Sequence, residues 1–270
     1  MENLKKANKI NRDNLQIQEI HKGILSIAID SPKTLNALNM EIIGNLLESF
    51  KDAARDPDVK IILLTGKGKA FAAGADISSL VSFSPQQALD FSTRGNELMN
   101  LLEEIAKPII AVINGFALGG GLELAMACDF RFAADNAVLG LPETLLGIIP
   151  GFGGTQRLAY IVGFPKAKEL ILTGRKLEAS EALECGLVNR VFSKESLWDE
   201  SVEFSKEMSH RSTNALALAK KTLNFTRNVP LSEGLCLENQ AFYECFEHPD
   251  SKEGITAFLE KRSPEYGKKE

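Results

Sequence analysis

Residues 114–129 read Asn114-Gly115-Phe116-Ala117-Leu118-Gly119-Gly120-Gly121-Leu122-Glu123-Leu124-Ala125-Met126-Ala127-Cys128-Asp129, and they decide the fold. The apolar run Ile109-Ile110-Ala111-Val112-Ile113 leads into them and reads as a buried strand. Leu122 to Cys128 reads as a short helix that is apolar on almost every side, hence a buried one. The three glycines at the join permit a tight turn and a close backbone approach to a ligand. They also leave unpaired N–H groups at a helix start, where the dipole favours negative charge. Glu123 lies one turn into that helix. Strand, bare amides and an inward carboxylate together suit a developing anion with a proton moving beside it.

Outward from this centre the chain reads as an α/β body. Ile24 to Asp30 alternates and reads as a strand, and Val59 to Thr65 reads as a second strand buried on both faces at Ile61–Leu64. Helical spacing runs from Ala37 to Arg55 and from Pro85 to Ala106. Short strands are expected at Asp129–Ala134, Ala137–Leu139 and Leu187–Phe192. Helices are expected at Thr155–Gly163, Pro165–Thr173 and Ala179–Gly186. Gly140 to Gly154 reads as a glycine- and proline-rich loop. Beyond Phe192 only helices are expected: Glu195–Ser209, Thr213–Thr226, Leu231–Phe246 and Asp250–Arg262, the last opened by a capping box of Asp250 and Glu253. The division is therefore an α/β core over residues 1–194 and a helical region over 195–270, with a loose ββα recurrence in the core.

Composition narrows the function. The 270 residues are 44% hydrophobic and 25% charged, with a net charge of -5. That is a globular composition, and its charge balance argues against nucleic acid as the main partner. The first 14 residues are polar and carry no apolar signal core, and no window reaches membrane-spanning length, so a cytoplasmic protein is expected. Cys128, Cys185, Cys236 and Cys245 form no CxxC and read as reduced core thiols. The three histidines are far apart, with no HExxH, so no metal site is expected.

Two groups of residues are candidates for chemistry. Glu123 and Glu143 both sit in apolar settings, the latter after Leu139-Gly140-Leu141-Pro142. Carboxylates that share such a site split their proton affinities into an acid and a base. Each taken alone also suits an ion pair or a solvated loop. Gly120 and Ala75, the latter in Ala72-Ala73-Gly74-Ala75-Asp76, are small residues that would let a ligand carbonyl approach the backbone; each alone also suits mere tight packing.

Phe71 to Ile77, Asn114 to Asp129, and Pro142-Glu143 followed by Gly147 to Leu158 resemble the signatures of the enoyl-CoA hydratase (crotonase) family. Pro32 to Leu38 and Ala257 to Arg262 do so too, and the resemblance covers about residues 15 to 265. It implies a spiral of ββα units with a C-terminal helical trimerisation region, assembled as a homotrimer or a dimer of trimers. The substrate implied is an acyl thioester of coenzyme A, with no further cofactor. Its thioester oxygen would lie between the N–H groups of Ala75 and Gly120. Glu123 and Glu143 match the pair that adds water across the 2,3 double bond, and either order of acid and base remains open. Lys33, Leu35, Lys69, Ala73, Asp76, Ile77, Phe258 and Lys261 match positions that contact the coenzyme, the last two from a neighbouring subunit.

Both glutamates together favour reversible hydration of a 2-enoyl-CoA. Pro150 to Gly153 and Ala241 to Phe246 resemble short-chain hydratases of the 3-hydroxybutyryl-CoA dehydratase type. Leu141 and Thr144 instead resemble the methylglutaconyl-CoA hydratase branch, which keeps a branched substrate open, and an isomerase shares the scaffold. A non-catalytic binding protein of the same fold is the alternative from another class.

Overall fold

The computed structural model describes residues 10–267. β1 (Ile10–Arg12), β2 (Leu15–His21) and β3 (Ile24–Ile29) come first, followed by a 3-10 turn at Pro32–Thr34 and α1 (Met40–Arg55). β4 (Ile61–Gly66), β5 (Ala70–Ala72), α2 (Ile77–Leu80) and α3 (Pro85–Glu104) come next. β6 (Ile109–Ile113), β7 (Phe116–Leu118) and α4 (Gly120–Met126) form the centre. β8 (Phe130–Ala134), β9 (Val138–Gly140), a 3-10 helix at Pro142–Leu146, α5 (Gly154–Val162) and α6 (Phe164–Thr173) follow. β10 (Lys176–Glu178), α7 (Ala179–Glu184) and β11 (Arg190–Phe192) complete the strands. The helices α8 (Leu197–Ser209), α9 (Thr213–Phe225), α10 (Leu231–Glu247) and α11 (Pro249–Leu259) end the described chain.

The strands divide between two sheets. The larger has the order β1-β2-β3-β4-β6-β8-β11, and the smaller β10-β9-β7-β5. Pairing is parallel from β3 through β4, β6 and β8 to β11, and from β5 through β7 to β9. Each turn of the chain thus gives one strand to each sheet: β4 then β5, β6 then β7, β8 then β9. That is the ββα recurrence of the sequence realised as a spiral. β4 and β6 are buried at every residue, as strands covered on both faces must be. α8 lies on the large sheet, where Phe204 meets Phe130 and Phe132 edge-on at 5.4 and 5.1 Å.

Several boundaries differ from the sequence reading, each for a local reason. α1 begins at Met40 rather than Ala37, because the Asn39 side chain accepts from the Ile42 N–H at 2.8 Å and caps the helix there. α4 begins at Gly120 rather than Leu122. β1, β2, β5, β7 and β10 were not expected as strands: four of them have three residues, too few to show a period. The loop expected over 140–154 contains the 3-10 helix that carries Glu143. The capping box of Asp250 and Glu253 does not form. His248 caps α11 instead, Asp250 turns inward to accept from the Ser212 hydroxyl at 2.6 Å, and Glu253 accepts from Arg262. Of the four expected core thiols only Cys128 is buried, and Cys236 is exposed.

The helical end of the chain is fastened to the sheet by a buried cation. Lys220 on α9 donates to the carbonyls of Leu102 and Lys107 at 2.9 and 3.1 Å and to Asp129 Oδ2 at 2.8 Å. The same Asp129 oxygen accepts from the Ile109 N–H, which starts β6.

Candidate active site

The site forms where the small sheet meets α4. Gly119, between β7 and α4, has φ 49° and ψ -129°, a backbone that side chains resist, and this bend starts α4 abruptly at Gly120. The Gly119 N–H donates to the Gly140 carbonyl at 2.9 Å, which ties the bend to β9, the strand that leads to Glu143. As the first residue of α4, Gly120 has an N–H with no place in the helical ladder. Ala75 pairs in parallel with Leu38 through its neighbours: the Leu38 N–H donates to the Gly74 carbonyl and the Asp76 N–H to the Leu38 carbonyl. In that pattern the N–H of Ala75 itself points away from Leu38.

Ala75, Gly120, Glu123 and Glu143 line one cavity of about 950 Å³. Ala73 and Ile77 line it as well, and its remaining wall is mostly apolar, from Leu80, Phe83, Phe91, Ile149 and Phe152 among others. The other residues matched to coenzyme contacts lie elsewhere on this single chain. Lys33, Leu35 and Lys69 are exposed in the turns beside β5, where the Leu35 carbonyl accepts from the Ala73 N–H at 3.0 Å. Asp76 caps α2, accepting from the Ser78 and Ser79 hydroxyls, which hold its carboxyl below the usual range. Phe258, 82% exposed, and Lys261 stand at the end of α11 and do not line the cavity.

The two glutamates are held differently. Glu123 is 1% exposed, and its Oε1 accepts from the Phe152 N–H at 2.8 Å and the Gly154 N–H at 2.6 Å. Burial pushes its carboxyl up to about 7; the two N–H donors oppose the rise and the nearby Glu143 adds to it. Glu143 is also buried and raised by burial, and its Oε2 has no protein hydrogen-bond partner among the described residues. Each carboxylate rests against a glycine. A Cβ on Gly154 would stand 2.8 Å from Glu123 Oε1, and one on Gly119 2.9 Å from Glu143 Oε1.

Phe152 and Gly154, whose N–H groups meet Glu123, and Arg157, which donates to the Phe152 carbonyl, lie within the family signature but were given no role in the sequence reading. Their signal was the glycine pair Gly153-Gly154 at the start of a helix, a place where backbone amides are offered to an anion. Leu141 and Thr144 do not line the cavity. Leu141 is fully buried and packs beside Gly154, and the Thr144 hydroxyl donates to the Ile171 carbonyl at 2.8 Å. Among the described residues no three His, Cys, Asp or Glu side chains are grouped to hold a metal ion, and no helix is long and apolar enough to cross a membrane.

Known proteins share the shape and much of the sequence of this chain. The profile of the enoyl-CoA hydratase/isomerase family matches residues 19–269. The chain belongs to the enoyl-CoA hydratase/isomerase family. Within it, a short-chain-enoyl-CoA hydratase of Clostridium acetobutylicum is 41% identical over 250 residues, covering 92% of this chain and 96% of that protein. A crotonyl-CoA hydratase of Syntrophomonas wolfei is also 41% identical, over 93% of this chain and 96% of its own length. An enoyl-CoA hydratase structure from Bacillus anthracis superimposes with a TM-score of 0.91 at 38% identity, covering 94% of this chain and 98% of that one. The fold is therefore the family's α/β spiral with its C-terminal helices, matched over nearly the whole chain.

Proposed function

We propose that this chain adds water reversibly to a short-chain 2-enoyl-CoA, giving the 3-hydroxyacyl-CoA. The observation that carries the reading is the pairing of Glu123 and Glu143, two buried carboxylates of raised proton affinity, in one apolar cavity with Ala75 and Gly120. The thioester oxygen accepts from the N–H groups of Ala75 and Gly120. One such donor typically lowers a barrier by about 2.7–4 kcal/mol.

The environments support a division of labour. Two N–H donors hold Glu123 Oε1 in place and partly offset the rise that burial imposes on it, and Glu123 is assigned as the base. Glu143, whose Oε2 has no hydrogen-bond partner among the described residues, carries the proton. As water attacks C3, its proton goes to Glu123 and the π electrons move onto the thioester oxygen as an enolate. C2 then takes the proton of Glu143. One proton has been accepted and one given, so the pair is left with its single proton on the other carboxylate. No cofactor enters beyond the coenzyme A that the substrate carries.

Leu141 and Thr144 lie off the cavity lining, so they lend no support to a branched-chain substrate. The helical region 195–270 is assigned to assembly as a homotrimer or dimer of trimers. Exposed apolar side chains such as Leu223, Leu231, Phe242, Phe246 and Phe258 favour this, and Phe258 and Lys261 would then reach a neighbour's coenzyme. Cytoplasmic location is part of the same proposal. The deciding experiment is loss of the conjugated enoyl-thioester absorbance when the protein meets crotonyl-CoA, with Glu143→Gln alongside. Loss with the wild type alone is expected. Equal rates in the two would overturn the paired-carboxylate assignment, and no loss with RNA retained at moderate salt would favour a binding protein.

A further inference from the structure

The two donors to Glu123 belong to the first and last of three successive peptide groups, and the carbonyls of all three are held from behind. The Gly151 carbonyl accepts from the Ser92 hydroxyl at 2.6 Å and from Asn96 Nδ2 at 3.0 Å, both on α3. That carbonyl shares its peptide plane with the Phe152 N–H that meets Glu123. The Gly153 carbonyl accepts from the Gln156 and Arg157 N–H groups at the start of α5, and it shares its plane with the Gly154 N–H. Between these two planes lies the Phe152 carbonyl, which accepts from Arg157 Nη1 at 3.0 Å. Arg157 is the one charged group in this set of clamps. It is buried, with 8% exposure, and its guanidinium is itself fixed on three sides. Nε and Nη2 donate to the two oxygens of Glu103 at 3.1 and 2.9 Å, and Nη2 also donates to Asn100 Oδ1 at 2.9 Å. A fork seated on a carboxylate in this way has a fixed plane, which an ammonium would not have.

We infer that Arg157, seated on Glu103 and Asn100, is a positioning residue that keeps the Phe152 and Gly154 N–H groups aimed at Glu123. The inference rests on the hydratase reading. Its chemistry is a matter of alignment and charge. Rotation of the middle peptide would swing both flanking N–H groups off one carboxylate oxygen, and an oxygen with fewer donors holds a proton more tightly. The guanidinium charge acts in the same direction, favouring ionised Glu123. The other charged group facing Glu123 is Glu143, on the 3-10 helix, and Lys176 on β10 lines the same cavity. β5 and β7, which also pack on α4, carry no ionisable side chain.

The test is crotonyl-CoA hydration measured across pH for Arg157→Lys, Glu103→Gln and Asn100→Ala, with thermal melting and butyryl-CoA binding in parallel. Arg157→Lys should lower kcat by about tenfold or more with KM within about twofold, because alignment rather than substrate affinity is lost. The acidic limb of its profile should move up by about half a unit or more, toward the proton affinity of a less well donated carboxylate. Glu103→Gln should shift the limb in the same direction by less, and the exposed Asn100→Ala by least. Folded variants whose acidic limb stays at the wild-type position would overturn the inference, as would a drop in melting temperature with kcat unchanged. Should Arg157→Lys fail to fold, Glu103→Gln and Asn100→Ala decide by the same criterion. A wild type that binds butyryl-CoA without hydrating crotonyl-CoA would refute the hydratase reading and this inference with it.

Discussion

Glu123 and Glu143 face the same cavity from two kinds of wall. Glu123 stands on a helix, gripped by two peptide N–H groups whose carbonyls are tied to α3 and α5. Glu143 stands on a 3-10 helix between a proline and exposed leucines, lying against Gly119 without a donor on Oε2 among the described residues. The same residue type is thus proposed as the base on one wall and as the proton carrier on the other. Environment, not identity, separates the roles.

The sharpest way to break this comparison is to remove each carboxylate separately. Glu123→Gln and Glu143→Gln should each lower kcat by about 10²–10⁴-fold, the span of a lost acid or base. Glu123→Gln should abolish the acidic limb of the pH profile and Glu143→Gln the alkaline limb. Identical profiles in the two variants would mean that the walls are equivalent.

Gly154→Ala comes next. Its methyl would stand 2.8 Å from Glu123 Oε1 and 3.0 Å from Leu141 Cδ1, so it should displace the carboxylate from its donors. A loss of about tenfold or more in kcat and a destabilisation of about 1–3 kcal/mol are expected, read by kinetics and denaturant melts. Full activity would show that the grip on Glu123 is loose.

Stability offers a third comparison. The folded chain binds the Glu123 proton more tightly than the unfolded chain does, since burial lifts its carboxyl to about 7. Between the ordinary carboxylate range and about 7 the folded state therefore holds more protons, and stability falls as pH rises through that window. Glu123→Gln removes this penalty. It should be more stable than wild type at pH 8 by about 3 kcal/mol and no more stable at pH 4, as measured by urea unfolding. Equal stability at both pH values would show that Glu123 titrates normally.

The smallest effect is expected at Arg227, whose Nη1 donates to Glu103 Oε1 at 2.8 Å from a partly exposed position. Arg227→Met should cost at most about 1 kcal/mol, and kcat should stay within about twofold, because Arg157 still holds Glu103 from the inside. A tenfold fall would mean that the seat of Glu103 depends on its outer ion pair.

Much of this was legible in the chain. Ile109–Ile113 and Ile61–Leu64 announce buried parallel strands because no polar residue interrupts them, and α1 and α3 announce themselves by period. The four central residues of the site were legible through the glycine run, the apolar surroundings of both glutamates and the family signatures. The cavity brings them together. The three-residue strands β5, β7, β9 and β10 make the small sheet, and only the last of these is not lined up in parallel. Of these, β9 alone had been anticipated, from Ala137 to Leu139, since such short pieces are specified by their partners and not by their own residues. The grip of residues 152 and 154 on Glu123 was illegible for a related reason. Backbone donors have no side-chain signature, and their aim depends on Ser92, Asn96 and Arg157, which are remote from Glu123 in sequence.

The pairing of β11 with β8 carries a consequence for how the molecule is made. Arg190–Phe192 must find Phe132–Ala134 across the whole stretch that contains Glu143, Phe152 and Arg157. Such distant parallel pairings form slowly, since a long loop must close before any bond rewards it. On refolding from denaturant, helical signal should therefore return well before hydratase activity. The alignment of the two glutamates would be among the last features to appear.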